Sequence, residues 1–155
     1  MKILVAYYSR SGKTEDVAKE IAQTLDADLD KVIDKKNRKG IFGFLRAGRD
    51  ALKENLTEIE HKKSPKDYDL VIVGTPTWAS TITPAIRTYL TKHKFKKIAF
   101  FTTASSLDGT ETFKKMETLS KKPIAVLEME KKDFKKGKIK IWEIKKIKEF
   151  CEKIK

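Results

Sequence analysis

The sequence predicts an α/β domain: a five-stranded parallel sheet with helices on both faces. Three observations carry that prediction. Short runs dense in aliphatic and aromatic residues recur without polar alternation, as strands buried on both faces require. Stretches with helical apolar spacing separate them, the alternation that produces parallel strands joined by crossover helices. A length of 155 residues suits one domain, 1–155, with a core of useful size.

The elements follow in order. "KILVAYY" is the first strand, and Val17, Ala18, Ile21, Ala22 and Leu25 mark a helix over about 13–25. A weaker strand is expected around 28–33. "KNRKGIFGFLRAGRDALKENL" starts as a loop and becomes a helix, with Phe44, Leu45, Gly48, Ala51, Leu52 and Leu56 on one side. "DLVIVG" is the next strand. "TPAIRTYLTKH" is a helix with Thr83 at the N-cap and Pro84 at the first helical position. Strand "KIAFFTT", a helix near 110–121 and strand "PIAVLEM" follow. "KKDFKKGK" reads as a charged turn before a final helix over about 140–154. Cys151 falls at core spacing with Ile144, Ile147 and Ile154 in that helix.

Ligands in such sheets bind beyond the carboxyl ends of the strands, near the point where strand order reverses. Three strand ends carry unusual chemistry: "SRSGKT", "GTPTWAS" and "TTASSLDG". Gly12, Lys13 and Thr14 imitate the tail of a nucleotide triphosphatase loop. That pattern needs another Gly five residues before Gly12, where Tyr7 stands, and a metal-binding Asp at a second strand end, where "DLVIVG" offers Gly74. A triphosphatase is thereby excluded. What remains is a strand-to-helix turn whose N–H groups and helix dipole attract an anion. Ser9, Ser11 and Thr14 add hydroxyls, and Gly12 permits close approach. A single phosphate monoester suits this loop better than a polyphosphate.

Composition excludes further classes. One cysteine rules out an internal disulfide and a cysteine metal cluster. No leader peptide and no membrane-spanning apolar run are read, so the expected compartment is the cytoplasm. The net charge is +13, and the last 35 residues hold 13 lysines against six acids. The lysines spread along helix faces without interleaved aromatics, so no nucleic acid partner is expected. Such a surface would steer an anionic substrate or an acidic protein. His61, in a charged linker, and His93, at a helix end, read as surface groups, and neither is assigned a catalytic role.

From Met1 to Lys155 the chain resembles the flavodoxin family. Ser9, Ser11, Gly12 and Thr14 meet the hydroxyl-x-hydroxyl-Gly-x-Thr pattern of that family's FMN-phosphate loop, with Arg10 and Lys13 between them. "GTPTWAS" resembles the first isoalloxazine loop, with Pro76, Thr77 and Ala79 around Trp78 at the aromatic position. Thr102, Thr103, Ala104, Ser105 and Gly109 occupy the place of the second flavin loop. "GIFGFLRAGRDAL" resembles the corresponding helix of small flavodoxin-like proteins.

The resemblance implies FMN as cofactor and electron transfer as activity, in a monomer or homodimer. Its basic surface would suit an acidic redox protein such as a ferredoxin. Four departures bear on this. No aromatic lies between Thr102 and Gly109, where many flavodoxins carry a stacking Tyr. Arg10 and Lys13 charge a loop that is often neutral. Ala79 follows Trp78 where many members have Gly, and a Cβ there is costly at positive φ. The chain is basic where electron-carrying members are typically acidic. Alternatives are therefore an FMN-dependent NAD(P)H or quinone reductase, and a binding module without flavin.

Overall fold

In a computed structural model of the chain, residues 1–36, 39–103 and 109–155 are described. The elements run in chain order β1 (Ile3–Tyr7), α1 (Lys13–Leu25), β2 (Asp28–Lys31), β3 (Ile33–Asp34), α2 (Gly40–Leu52), β4 (Ile59–Glu60), β5 (Leu70–Pro76), α3 (Pro84–Lys92), β6 (Lys97–Thr103), α4 (Thr110–Leu119), β7 (Val126–Met129), β8 (Phe134–Lys135), β9 (Lys138–Ile139) and α5 (Ile144–Glu152). The main sheet has five strands in the order β2-β1-β5-β6-β7, all parallel. The chain leaves β1 toward β2 and later crosses to β5 on the other side. The switch point therefore lies between the ends of β1 and β5, beside Tyr7 and Gly74.

Residues of β1 alternate between two cores. Ile3, Val5 and Tyr7 face α1 and α5, meeting Val17, Ile21, Ile147 and Phe150. Leu4 and Ala6 face α3 and α4, meeting Ile86, Tyr89 and Met116. Both faces are buried, which explains the absence of polar alternation in the strand sequence. Each fully buried Leu or Ile contributes about 1.5–3 kcal/mol relative to exposure. Cys151 is buried in the first core, and burial pushes its thiol up to about 11.

The edge strand β2 is held by polar groups. Buried Asp30 accepts the backbone N–H of Lys62 (3.1 Å) and of Lys63 (2.7 Å). The Tyr68 hydroxyl donates to Asp28 at 2.6 Å. These bonds lay the segment after β4 along the sheet edge and blunt it against further pairing.

Several sequence expectations change. The weaker strand breaks in two. Residues 28–31 join the main sheet, while β3 pairs antiparallel with β4. The charged turn is a small hairpin, β8 with β9, closed through Lys136 at φ 49° and Gly137 at φ 79°. The final helix is shorter, beginning with a 3-10 turn at Ile141–Glu143.

His61 and His93 are not solitary surface groups. Their Nε2 atoms lie 3.0 Å apart, both rings pack against Tyr89, and His61 Nδ1 lies 3.0 Å from the Lys63 carbonyl. Burial, followed by the nearby charges of His61 and Lys92, lowers the His93 pKa.

The largest revision is α2. Its buried residues are Gly43, Ala47, Asp50 and Ala51, while Phe44, Leu45 and Leu52 are exposed, as is Leu56 beyond the helix. Small residues let α2 approach α3, and that contact decides the inward side.

Candidate functional site

Three strand ends meet at one cleft of about 580 Å³. On one side the chain leaves β1 through Ser9 and reaches Gly12, which takes φ 97° at the start of α1. The Gly12 N–H donates to Ser9 Oγ at 3.0 Å, closing the turn. A left-handed φ favours Gly, and a Cβ built there would meet no atom within 4 Å, so the space beside it is open. Arg10, Ser11, Lys13 and Thr14 line this end. The helix dipole, two cations and hydroxyl groups make it an anion pocket. Both cations rest on aromatic rings: Arg10 over Phe44 and Lys13 over Phe134, at 5.5 and 5.6 Å from the centroids.

Thr14 is buried, and its hydroxyl lies 2.7 Å from that of Thr103 at the end of β6. This pair ties the first loop to the third strand end. Thr103 lines the cleft. Thr102, the residue before it in the strand, is fully buried and turned away, its Oγ1 beneath Gly109. The Gly109 N–H donates to Glu128 at 2.7 Å. A Cβ on Gly109 would come within 2.9 Å of the Thr102 hydroxyl, so Gly permits this close approach. Ala104 and Ser105 lie outside the described residues.

The opposite wall is Pro76, Thr77, Trp78 and Ala79. The Trp78 ring stands edge-on to Tyr8, with centroids 5.5 Å apart at 87°, which fixes its orientation. Trp78 and Thr81 exchange two backbone hydrogen bonds of 3.0 Å around a two-residue turn. Ala79 and Ser80 sit in that turn at φ 50° and 57°. Neither is Gly, so each carries strain of about 1 kcal/mol or more. The sequence reading treats a Cβ here as an obstacle to positive φ, whereas the turn already adopts it. Replacing Ala79 or Ser80 with Gly should therefore stabilise the fold by up to about 1 kcal/mol each, read as a higher urea midpoint. A lower midpoint for both variants would show that the left-handed turn is not adopted.

The cleft also includes Phe44, Ala47 and Gly48 of α2, which the sequence reading did not place there. The short, aromatic-bearing repeat of Gly in "GIFGFLRAGRDAL" is the one signal that could have pointed to them. Among the described residues, the cleft lining contains no carboxylate and no imidazole, and no cluster of three or more metal-ligating side chains exists. No helix among them is long and apolar enough to cross a membrane.

A doubly wound sheet with an anion loop and an aromatic wall across its switch point defines a nucleotide-binding type of α/β protein. The chain belongs to the flavodoxin family, whose sequence profile matches residues 2–150. Its fold is similar to that of a flavoprotein from Lactobacillus acidophilus solved in complex with FMN. That pair is 21% identical, with 83% of this chain and 91% of that chain covered and a TM-score of 0.67. It is also similar to oxidised Flavodoxin 2 from Bacillus cereus, at 20% identity, 99% and 97% coverage and a TM-score of 0.58. A WrbA-like flavodoxin from Agrobacterium tumefaciens matches at 16% identity, 97% and 92% coverage and a TM-score of 0.63. No curated protein matches the sequence.

Proposed function

We propose that this protein binds FMN in the cleft and carries electrons between partners. The observation that supports it most is the union of the Gly12 loop and Trp78 in one cleft, braced by the Thr14–Thr103 hydroxyl pair. The residues present fit the group. Open space beside Gly12, together with Ser9, Arg10, Ser11, Lys13 and Thr14, would hold a phosphate. Pro76, Thr77, Trp78 and Ala79 would wall a flat ring, and the volume is that of an ordinary small-molecule site. Bound FMN would supply a redox centre for one- or two-electron exchange.

The protein's own groups orient the cofactor and exclude water from one side of it. The described lining has no carboxylate or imidazole, and its one lysine, Lys13, belongs to the anion end, away from the Trp78 wall, which favours a carrier. The basic surface suits an acidic redox protein as partner.

A second reading, an FMN-dependent reductase of a quinone-type acceptor, draws on one observation: Trp78 is the single aromatic among the flavin-loop residues described. An open ring face would admit a small acceptor.

The test loads the protein with FMN, records its visible spectrum, and then measures NADPH oxidation with a quinone. A bound-flavin spectrum with no turnover above that of free FMN fits the carrier. Sustained quinone-dependent turnover would replace it with the reductase.

A further inference from the structure

The helix α2 presents its apolar residues the wrong way round for a free surface. It buries Gly43, Ala47 and Ala51. It exposes Ile41 at 77%, Phe42 at 86%, Leu45 at 61% and Leu52 at 67%. Single exposed apolar residues are ordinary, but a contiguous stripe of large ones marks an interaction surface.

The stripe has two borders. On one side Phe44 and Gly48 carry it into the cleft lining. On the other side stand Arg46 and Arg49, both exposed, with Lys53 at the C-cap. The one acid of the helix, Asp50, is buried and held by Lys36 at 2.9 Å and Asn55 at 3.1 Å. The outward charge of α2 is therefore wholly positive.

We propose that this stripe is the docking face for an acidic electron-transfer protein. The occupant has an apolar contact centre ringed by carboxylates. The inference rests on the reading that the cleft holds FMN. An apolar centre with a charged rim is the usual anatomy of a specific interface, and the basic rim selects the sign of the partner. A second copy of this chain would set Arg46 and Arg49 against the same residues, at a net charge of +13 on each side. Like charges so placed oppose pairing. Continuity with the cleft lets a protein docked here reach the redox centre without passing through the core.

The probe is a small acidic iron–sulfur ferredoxin, reduced, mixed with FMN-loaded protein. The variants are Arg46→Glu/Arg49→Glu and Phe42→Ser/Leu45→Ser. A control, Lys145→Glu/Lys148→Glu, makes the same charge change on exposed residues of α5, across the sheet. FMN affinity is measured for every variant.

The wild-type electron-transfer rate should fall steeply with ionic strength. Both α2 variants should lose about tenfold or more at low salt. The α5 control should stay within about twofold to threefold of wild type, and FMN affinity should be unchanged throughout. Equal rates for the α2 variants and the control would overturn the proposal. So would a wild-type dimer that α2 substitution dissociates, or α2-dependent binding to anionic lipid vesicles in place of the ferredoxin. If wild type does not bind FMN, the cleft reading fails by itself. Amide shift mapping of the ferredoxin on the unloaded chain then still decides the docking face.

Discussion

FMN is expected to bind at least about 100-fold more tightly than riboflavin. The two ligands share the ring, so contacts with Trp78 and its neighbours cancel in the comparison. What differs is the phosphate. Its place lies at the start of α1, where the first N–H groups of the helix lack helical acceptors and Arg10 and Lys13 add charge. A hydrogen bond to a charged group contributes about 1.5–3 kcal/mol, and 1.4 kcal/mol is tenfold in affinity, so two such bonds already give about 100-fold. Ser11→Ala should weaken FMN while leaving riboflavin nearly unchanged. Thr14→Val is a less clean probe, because Thr14 also bonds Thr103, and its loss would strand that hydroxyl at a cost of about 1–3 kcal/mol of stability. Fluorescence titration of both flavins decides the matter. Equal affinities would remove the phosphate assignment.

Gly74→Ala should destabilise the protein by about 3 kcal/mol or more. The Phe101 ring of the neighbouring strand lies where a Cβ on Gly74 would be. Both residues are completely or almost completely buried in the sheet, so neither has room to move aside. Overpacking of this kind usually costs about 1–3 kcal/mol, and backbone strands on both sides place this case at the upper end. For a chain of this length the melting temperature should fall by roughly 6–12 °C. Gly74 also begins the segment that ends in Trp78, so flavin affinity should fall with it. Phe101→Leu in the same chain should recover part of the loss. A urea midpoint unchanged by Gly74→Ala would show that the ring does not lie against Gly74.

Much of the architecture was legible because the signals were local. The central strands β1, β5 and β6 are buried on both faces and need near-continuous apolar runs, and those runs were visible, whereas the polar edge strand β2 gave only a weak signal. Thr83 with Pro84 starts α3 where the pattern put it, although the Thr83 hydroxyl turns to Thr75, at 3.1 Å, instead of capping the helix. The Ser9–Thr14 turn was legible for the same reason: its hydroxyls and Gly12 lie within six residues of one another. Thr102 and Thr103 are adjacent in sequence, yet strand alternation sends only Thr103 to the cleft. The pairing of His61 with His93 joins residues 32 apart and had no local signature.

By itself the sequence determined the layered α/β domain, the order of its main-sheet strands and large helices, and which residues the first two loops present, because hydrophobic period and turn residues act over a few neighbours. The tertiary structure alone decided which side of α2 turns inward, and with it the cleft wall formed by Phe44, Ala47 and Gly48. Apolar spacing marks the large residues, but close helix–helix approach is set by the small ones. Gly43, Ala47 and Ala51 let α2 settle against α3, and that contact leaves Ile41, Phe42 and Leu45 facing outward.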